Sequence, residues 1–144
     1  MRSNLERAGW GVQRVILGAM RIIRAASLQP ITGQGSTYWP LATPSTGAAE
    51  LIVARVRKTP GHPGSIHAHD HEEVVVALAG TATAIIDGNQ AQLVAGDTLI
   101  IPAGQVHQVS AVGDERFECL IAKPAGTRFY DSEGQAMSTP TWMA

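Results

Sequence analysis

Between Leu51 and Lys123 the chain alternates apolar and polar residues in short runs, and turn-forming residues separate the runs. Side chains two apart share one face of a strand, so each run reads as a β-strand with one buried face. The pattern predicts strands over Leu51–Arg57, Ser65–His69, Glu73–Ala79, Thr81–Asp87, Gln90–Val94, Thr98–Ile101, Val106–Val112 and Glu115–Lys123. Asp87-Gly88-Asn89 predicts a hairpin turn, because Asp-Gly tolerates the positive φ angles that tight hairpins need. Pro102 lacks an N–H and stops a ladder after Ile101. Pro30 to Gly47 is rich in Gly, Thr, Ser and Pro and predicts an irregular segment or short edge strands. Many short strands with this punctuation predict an all-β domain, a double-sheet jelly roll or barrel. There is no internal repeat.

Set between these runs is a group of metal-ligating residue types. His67 and His69 are two apart and project together from an extended segment. Asp70, His71 and Glu72 form a turn, and Glu73 opens the next apolar run. His107 follows the Pro102-Ala103-Gly104 corner. Three imidazoles and a carboxylate suit a divalent transition metal and can leave coordination positions open for chemistry. The candidate ligands are therefore His67, His69, Glu73 and His107, with Glu73 also the candidate catalytic group. A His-x-His pair alone is commonly a solvated loop, and a lone histidine is more often a packing residue. The added Glu73, the flanking Gly61 and Gly80, and His107 shift the balance towards a site. His71 reads as a loop residue, and it is the alternative ligand should Glu73 not reach the centre. His62 lies in a Gly/Pro turn and has no assigned role. Asp97 is expected to bond local backbone.

Gly61-x5-His67-x-His69-x3-Glu73-x6-Gly80 resembles the first cupin motif at every fixed position. Gly96-x5-Pro102-x-Gly104-x2-His107 resembles the second. The chain departs from the second motif at Ala111, where the family carries Asn. The short segment 81–95 between the motifs resembles small single-domain microbial cupins. The resemblance implies a double-stranded β-helix, or jelly-roll barrel, with one divalent metal ion per chain (Fe, Mn, Ni or Zn) on the same four residues. It also implies a homodimer.

Length and composition narrow the reading further. At 144 residues the chain is expected to form one domain with a net charge of −1. No basic block lies in the barrel region, which argues against a nucleic-acid partner. No run is long and apolar enough to span a membrane, and the expected location is the cytoplasm. A single cysteine, Cys119, rules out an internal disulfide. It shares a strand face with Phe117 and Ile121, so core packing is expected, with a thiol facing the cavity as the rival. Residues 1–19 mix arginines with apolar residues and read as an extension outside the core, upstream of a natural start at Met20. Met20 to Arg24 then reads as an opening strand of a barrel over 20–124, with 125–144 a tail packed on the barrel or on a partner subunit.

Few charged residues fall on the expected inward faces, so the substrate is expected to be small and largely apolar. Aromatic or polyketide-like compounds fit better than a phosphorylated sugar. Tyr38, Trp39, Phe117, Phe129, Tyr130 and Trp142 are candidate pocket walls, and Gln105 is a weaker candidate for a substrate hydrogen bond. The expected chemistry is dioxygenation or metal Lewis-acid cyclisation or isomerisation. The alternative is a non-catalytic module that binds a small ligand or a metal.

Overall fold

Strand formation follows the alternation closely. A computed structural model describes residues 20–144. The expected N-terminal extension, 1–19, lies outside the described residues. In chain order the strands are β1 (Ile31–Gly33), β2 (Ser36–Ala42), β3 (Leu51–Lys58), β4 (Ala68–His69), β5 (Glu73–Ala79) and β6 (Thr81–Ile86). They continue with β7 (Asn89–Val94), β8 (Thr98–Ile101), β9 (His107–Ala111), β10 (Phe117–Pro124), β11 (Phe129–Tyr130) and β12 (Ala136–Met137). Short 3-10 turns lie at Ala25–Ser27, Pro44–Thr46 and Thr141–Met143. No helix among the described residues is long and apolar enough to cross a membrane.

A six-stranded antiparallel sheet runs β1-β2-β3-β10-β5-β8. Two three-stranded sheets, β12-β11-β4 and β7-β6-β9, are joined by a bridge between His67 and His107. This is the expected jelly roll. One face of each strand fills the core. Ile52, Ala54 and Val56 of β3, Val75 and Ala77 of β5, and Phe117, Cys119 and Ile121 of β10 meet Ala82, Ala84, Leu93 and Val109. The β6–β7 hairpin pairs Ile86 with Asn89, leaving Asp87 and Gly88 at φ 47° and 81°. Both central residues thus have the positive φ that a tight, strand-matched turn requires. Gly80 is fixed by space as well as by conformation. A Cβ there would lie 2.1 Å from the Arg116 carbonyl oxygen, at φ +75°.

Three expectations are corrected. Met20 to Arg24 forms no strand; Met20 and Ile22 are 89% and 61% exposed, and among the described residues no neighbouring strand offers hydrogen bonds. Pro30–Gly47 contains β2, an interior strand between β1 and β3, whose register shifts around Pro40. The expected strand Ser65–His69 is regular only at Ala68–His69. Upstream, the chain is held by the His67 bridge and by side chains of β9: Gly64 N–H donates to Ser110 Oγ, and Gln108 Nε2 donates to the Gly64 carbonyl. These bonds lie beside Ala111.

Candidate functional site

The bridge between His67 and His107 organises the site. Each backbone N–H donates to the other's carbonyl, at 3.1 and 2.8 Å, so the two side chains leave the backbone on the same face. His69 follows two residues after His67. Its carbonyl accepts from Gly104 N–H at 2.8 Å, which ties the Pro102-Ala103-Gly104 corner to β4. The three rings stand 4.5 to 4.9 Å apart between centroids. One nitrogen from each can be chosen so that all lie within 4.8 Å of one another, close enough to hold one metal ion.

Hydrogen bonds orient two of the rings. His107 Nδ1 lies 2.9 Å from the Gln105 carbonyl, which only an N–H can satisfy, so Nδ1 donates there and Nε2 is the nitrogen left for a ligand. His67 Nδ1 faces the Ser65 hydroxyl and carbonyl at 2.9 and 3.2 Å. His107 Nε2 and both nitrogens of His69 are buried without a hydrogen-bond partner. Buried orphan imidazole nitrogens are costly unless a ligand satisfies them, so this donor set fits a divalent transition metal. Burial pushes His67 down to about 3, helped by His107 and Lys123. It pushes His69 down to about 2, helped by Lys123 and His67. Both rings are therefore neutral near pH 7, the form that binds metals.

Glu73, at the start of β5, lies 3.6 Å from His69 Nδ1 but stands outside the group of three imidazoles whose nitrogens cluster. Its stronger contact is Lys123, whose Nζ lies 2.5 Å from Glu73 Oε2, with both side chains buried. The β10–β5 register places Ala122 opposite Val74, which brings the next pair, Lys123 and Glu73, together on the inner face. Lys123 Nζ also lies 4.7 Å from the Phe129 ring centroid and 5.5 Å from that of Trp142. Phe129 is paired with His69 across β11–β4 and its ring packs 4.4 Å from the imidazole.

His67 and His107 open onto a cavity of about 450 Å³ between the sheets. Its walls include Val56, Val75, Val109, Ile121 and Phe129, and Tyr38 and Trp142 stack at 4.9 Å beside it. Its charged groups are Lys58, Glu73 and Lys123. The expectation of few inward charges is thus corrected: Lys58 and Lys123 both lie inside. The strand period was sufficient to place them, since Lys58 continues the inward series Ile52-Ala54-Val56 and Lys123 continues Phe117-Cys119-Ile121. Of the candidate pocket walls, Tyr38, Phe129 and Trp142 line the cavity. Trp39 lies on the outer face beneath the guanidinium groups of Arg55 and Arg57, and Phe117 is sealed in the core. Tyr130 borders a separate shallow groove.

His71 is exposed, its Nδ1 2.7 Å from Asp70 Oδ1, and it stands outside the imidazole cluster. His62 packs over Gly35. Asp97 accepts from Val94 N–H, a local backbone bond as expected. Cys119 is buried and also lines the cavity, and burial pushes its thiol up to about 12.

Residues 54–123 match the family model described as Cupin domain. The fold agrees with solved cupins, and residues 54–123 are a cupin domain. It is similar to the polyketide cyclase RemF from Streptomyces resistomycificus (TM-score 0.67, 17% identity, 76% of this chain and 82% of that one). It is similar to a sugar phosphate isomerase of the cupin superfamily from Silicibacter pomeroyi (TM-score 0.66, 21% identity, 84% and 93% covered). It is also similar to a salicylate 1,2-dioxygenase from Pseudoaminobacter salicylatoxidans (TM-score 0.61, 16% identity, 69% of this chain but 30% of that longer one). At these identities the likeness is one of fold. No curated protein sequence matches the chain.

Proposed function

We propose that the chain is a metal-dependent cupin enzyme that cyclises or isomerises a small, largely apolar carbonyl compound by proton transfer. The observation that carries this reading is a buried carboxylate–ammonium pair beside a cluster of three imidazoles, facing a mainly apolar cavity. His67, His69 and His107 would hold a divalent transition metal, with Glu73 the fourth donor within reach. When bound, the metal supplies Lewis-acid polarisation of a carbonyl, enol or phenol oxygen. Glu73 accepts the substrate proton, and Lys123 keeps its carboxylate turned into the cavity. The ammonium then stabilises the oxyanion left on the substrate. Tyr38, Phe129 and Trp142 hold the apolar body and exclude water.

Dioxygenation is the competing chemistry, and the fold of a salicylate dioxygenase makes it a fair rival. The buried acid–base pair favours proton transfer, because oxygen insertion does not call for one. Metal analysis with oxygen-uptake assays on phenolic and β-dicarbonyl compounds separates the two. Zinc or nickel with product formed and no oxygen consumed is expected. Iron with oxygen uptake would transfer the site to the dioxygenase reading, and a protein that holds ligand without turnover would be a binding module. We further propose a cytoplasmic homodimer joined through the outer face of the six-stranded sheet, where Val74, Val76, Leu120 and Ala122 lie beside exposed Leu78 and Ile100.

A further inference from the structure

The cavity contains more positive charge than the acid–base pair uses. Two lysines and one glutamate line it, and the glutamate is paired with Lys123. Among the described residues no carboxylate lies within ion-pair distance of Lys58. Lys58 ends β3 on the inward face, paired with Ser36 on one side and Phe117 on the other. Ser36, Gly64 and Ser65 line the cavity with it, and the hydroxyl of Ser65 touches His67 Nδ1. A half-buried ammonium without a counter-ion is unfavourable, and the surroundings of Lys58 disfavour its charged form mainly through desolvation. A bound anion removes that cost.

We propose that Lys58 anchors a carboxylate of the substrate, so that the cavity takes a monoanionic, otherwise apolar acid with its reacting end at the imidazoles. The proposal rests on the enzymatic reading above for the word substrate, but the binding it describes does not require turnover. The charge inventory sets the class. One unpaired lysine balances one carboxylate, whereas a phosphate dianion calls for further cations or the fork of an arginine, and among the described residues no arginine lines this cavity. The remaining walls are aliphatic and aromatic, which suits an acid with a hydrocarbon or aryl body. Lys58 is on this account a specificity residue and takes no part in the proton transfer.

The test compares matched acids and amides on the full chain. Benzoate, 3-phenylpropanoate and 2-naphthoate, each beside its primary amide, are titrated by calorimetry into the protein as purified and after chelator treatment. Each acid is expected to bind about tenfold more tightly than its amide, the scale of one charge-assisted hydrogen bond. Lys58→Met should abolish that preference and leave amide binding and metal content unchanged. Lys58→Arg should keep it, which separates loss of charge from loss of fold. Acid preference absent from the whole set, or retained in Lys58→Met, overturns the proposal. Acid preference that vanishes on chelation and is unaffected by Lys58→Met places the carboxylate on the metal and likewise overturns it. Failure of the enzymatic reading would show separately, as absent metal or absent turnover.

Discussion

Glu73 and Lys123 face each other across β5 and β10 at 2.5 Å, with side chains 8% and 2% exposed. A pair so deep in the barrel contributes little net stability, because desolvation of both charges offsets their attraction. Its presence at the floor of the cavity is therefore better explained by function than by folding. It also fixes where Glu73 can act: the same oxygen that meets Lys123 lies 3.6 Å from His69.

Breaking this pair should be far more damaging than removing it. Glu73→Gln keeps the shape, deletes the negative charge and strands a buried ammonium. The expected loss is about 3–5 kcal/mol in urea unfolding. The double variant Glu73→Gln/Lys123→Met should recover most of that loss while remaining inactive. If the single variant unfolds like the wild type, the two groups are not energetically coupled.

The imidazole cluster predicts a metal dependence residue by residue. His67→Ala, His69→Ala and His107→Ala should each lower bound metal, measured by elemental analysis of the purified protein, by at least about tenfold in affinity. His71→Ala should leave it unchanged, because that ring faces Asp70 and solvent. Metal retained by all three cluster variants would remove the proposed centre.

Burial of His67 and His69 gives the metal-free protein a pH dependence of known sign. An unfolded imidazole takes up its proton near 6.5, whereas the folded rings resist protonation down to about 3 and about 2. Between those values the unfolded chain binds more protons, so stability falls as pH drops below about 6.5 and is flat above it. Urea midpoints of chelator-treated protein from about pH 8 to about pH 5 should show this, the lower end lying above the usual carboxylate range. His69→Gln should flatten the curve; an equal slope in that variant would locate the protons elsewhere.

Most of the barrel was legible because its strands alternate cleanly. Glu73–Ala79 and Thr98–Ile101 were expected with the bounds they have, and the Asp87-Gly88 turn follows from local conformational preference. The spacing predicts that His67, His69, Glu73 and His107 meet; the three imidazoles group together, while Glu73 stands beside His69 and outside that group. What escaped was set by partners distant in sequence. Met20 to Arg24 has the residues of a strand but, among the described residues, no neighbour to pair with. Phe129 reaches His69 only because β11 docks on β4, a pairing that two residues of strand do not announce. Lys58 and Lys123 had the inward parity, yet lysine is so seldom buried that a tool as simple as periodicity reads it as an outward residue.

Cys119 should behave as a core residue although it borders the cavity. Burial holds its thiol near 12, so almost no thiolate exists at neutral pH. Native protein at about pH 8 should react with a disulfide reagent slowly, and at the rate of a free thiol once unfolded in guanidinium. Fast labelling of the native state would show that the cavity is open at that depth.

The outer face of the six-stranded sheet gives the last expectation. Leu78 and Ile100 are 44% and 58% exposed beside Val76 and Leu120, which point the same way from β5 and β10. Apolar side chains grouped on one sheet face are costly to leave in water and suit a self-complementary contact about a two-fold axis. Sedimentation velocity should give twice the chain mass. Leu120→Glu would put two like charges near that axis and should yield a folded monomer with the imidazole cluster intact. A wild-type protein that sediments as a monomer at micromolar concentration would reject the interface, while a Leu120→Glu dimer would move it to another face.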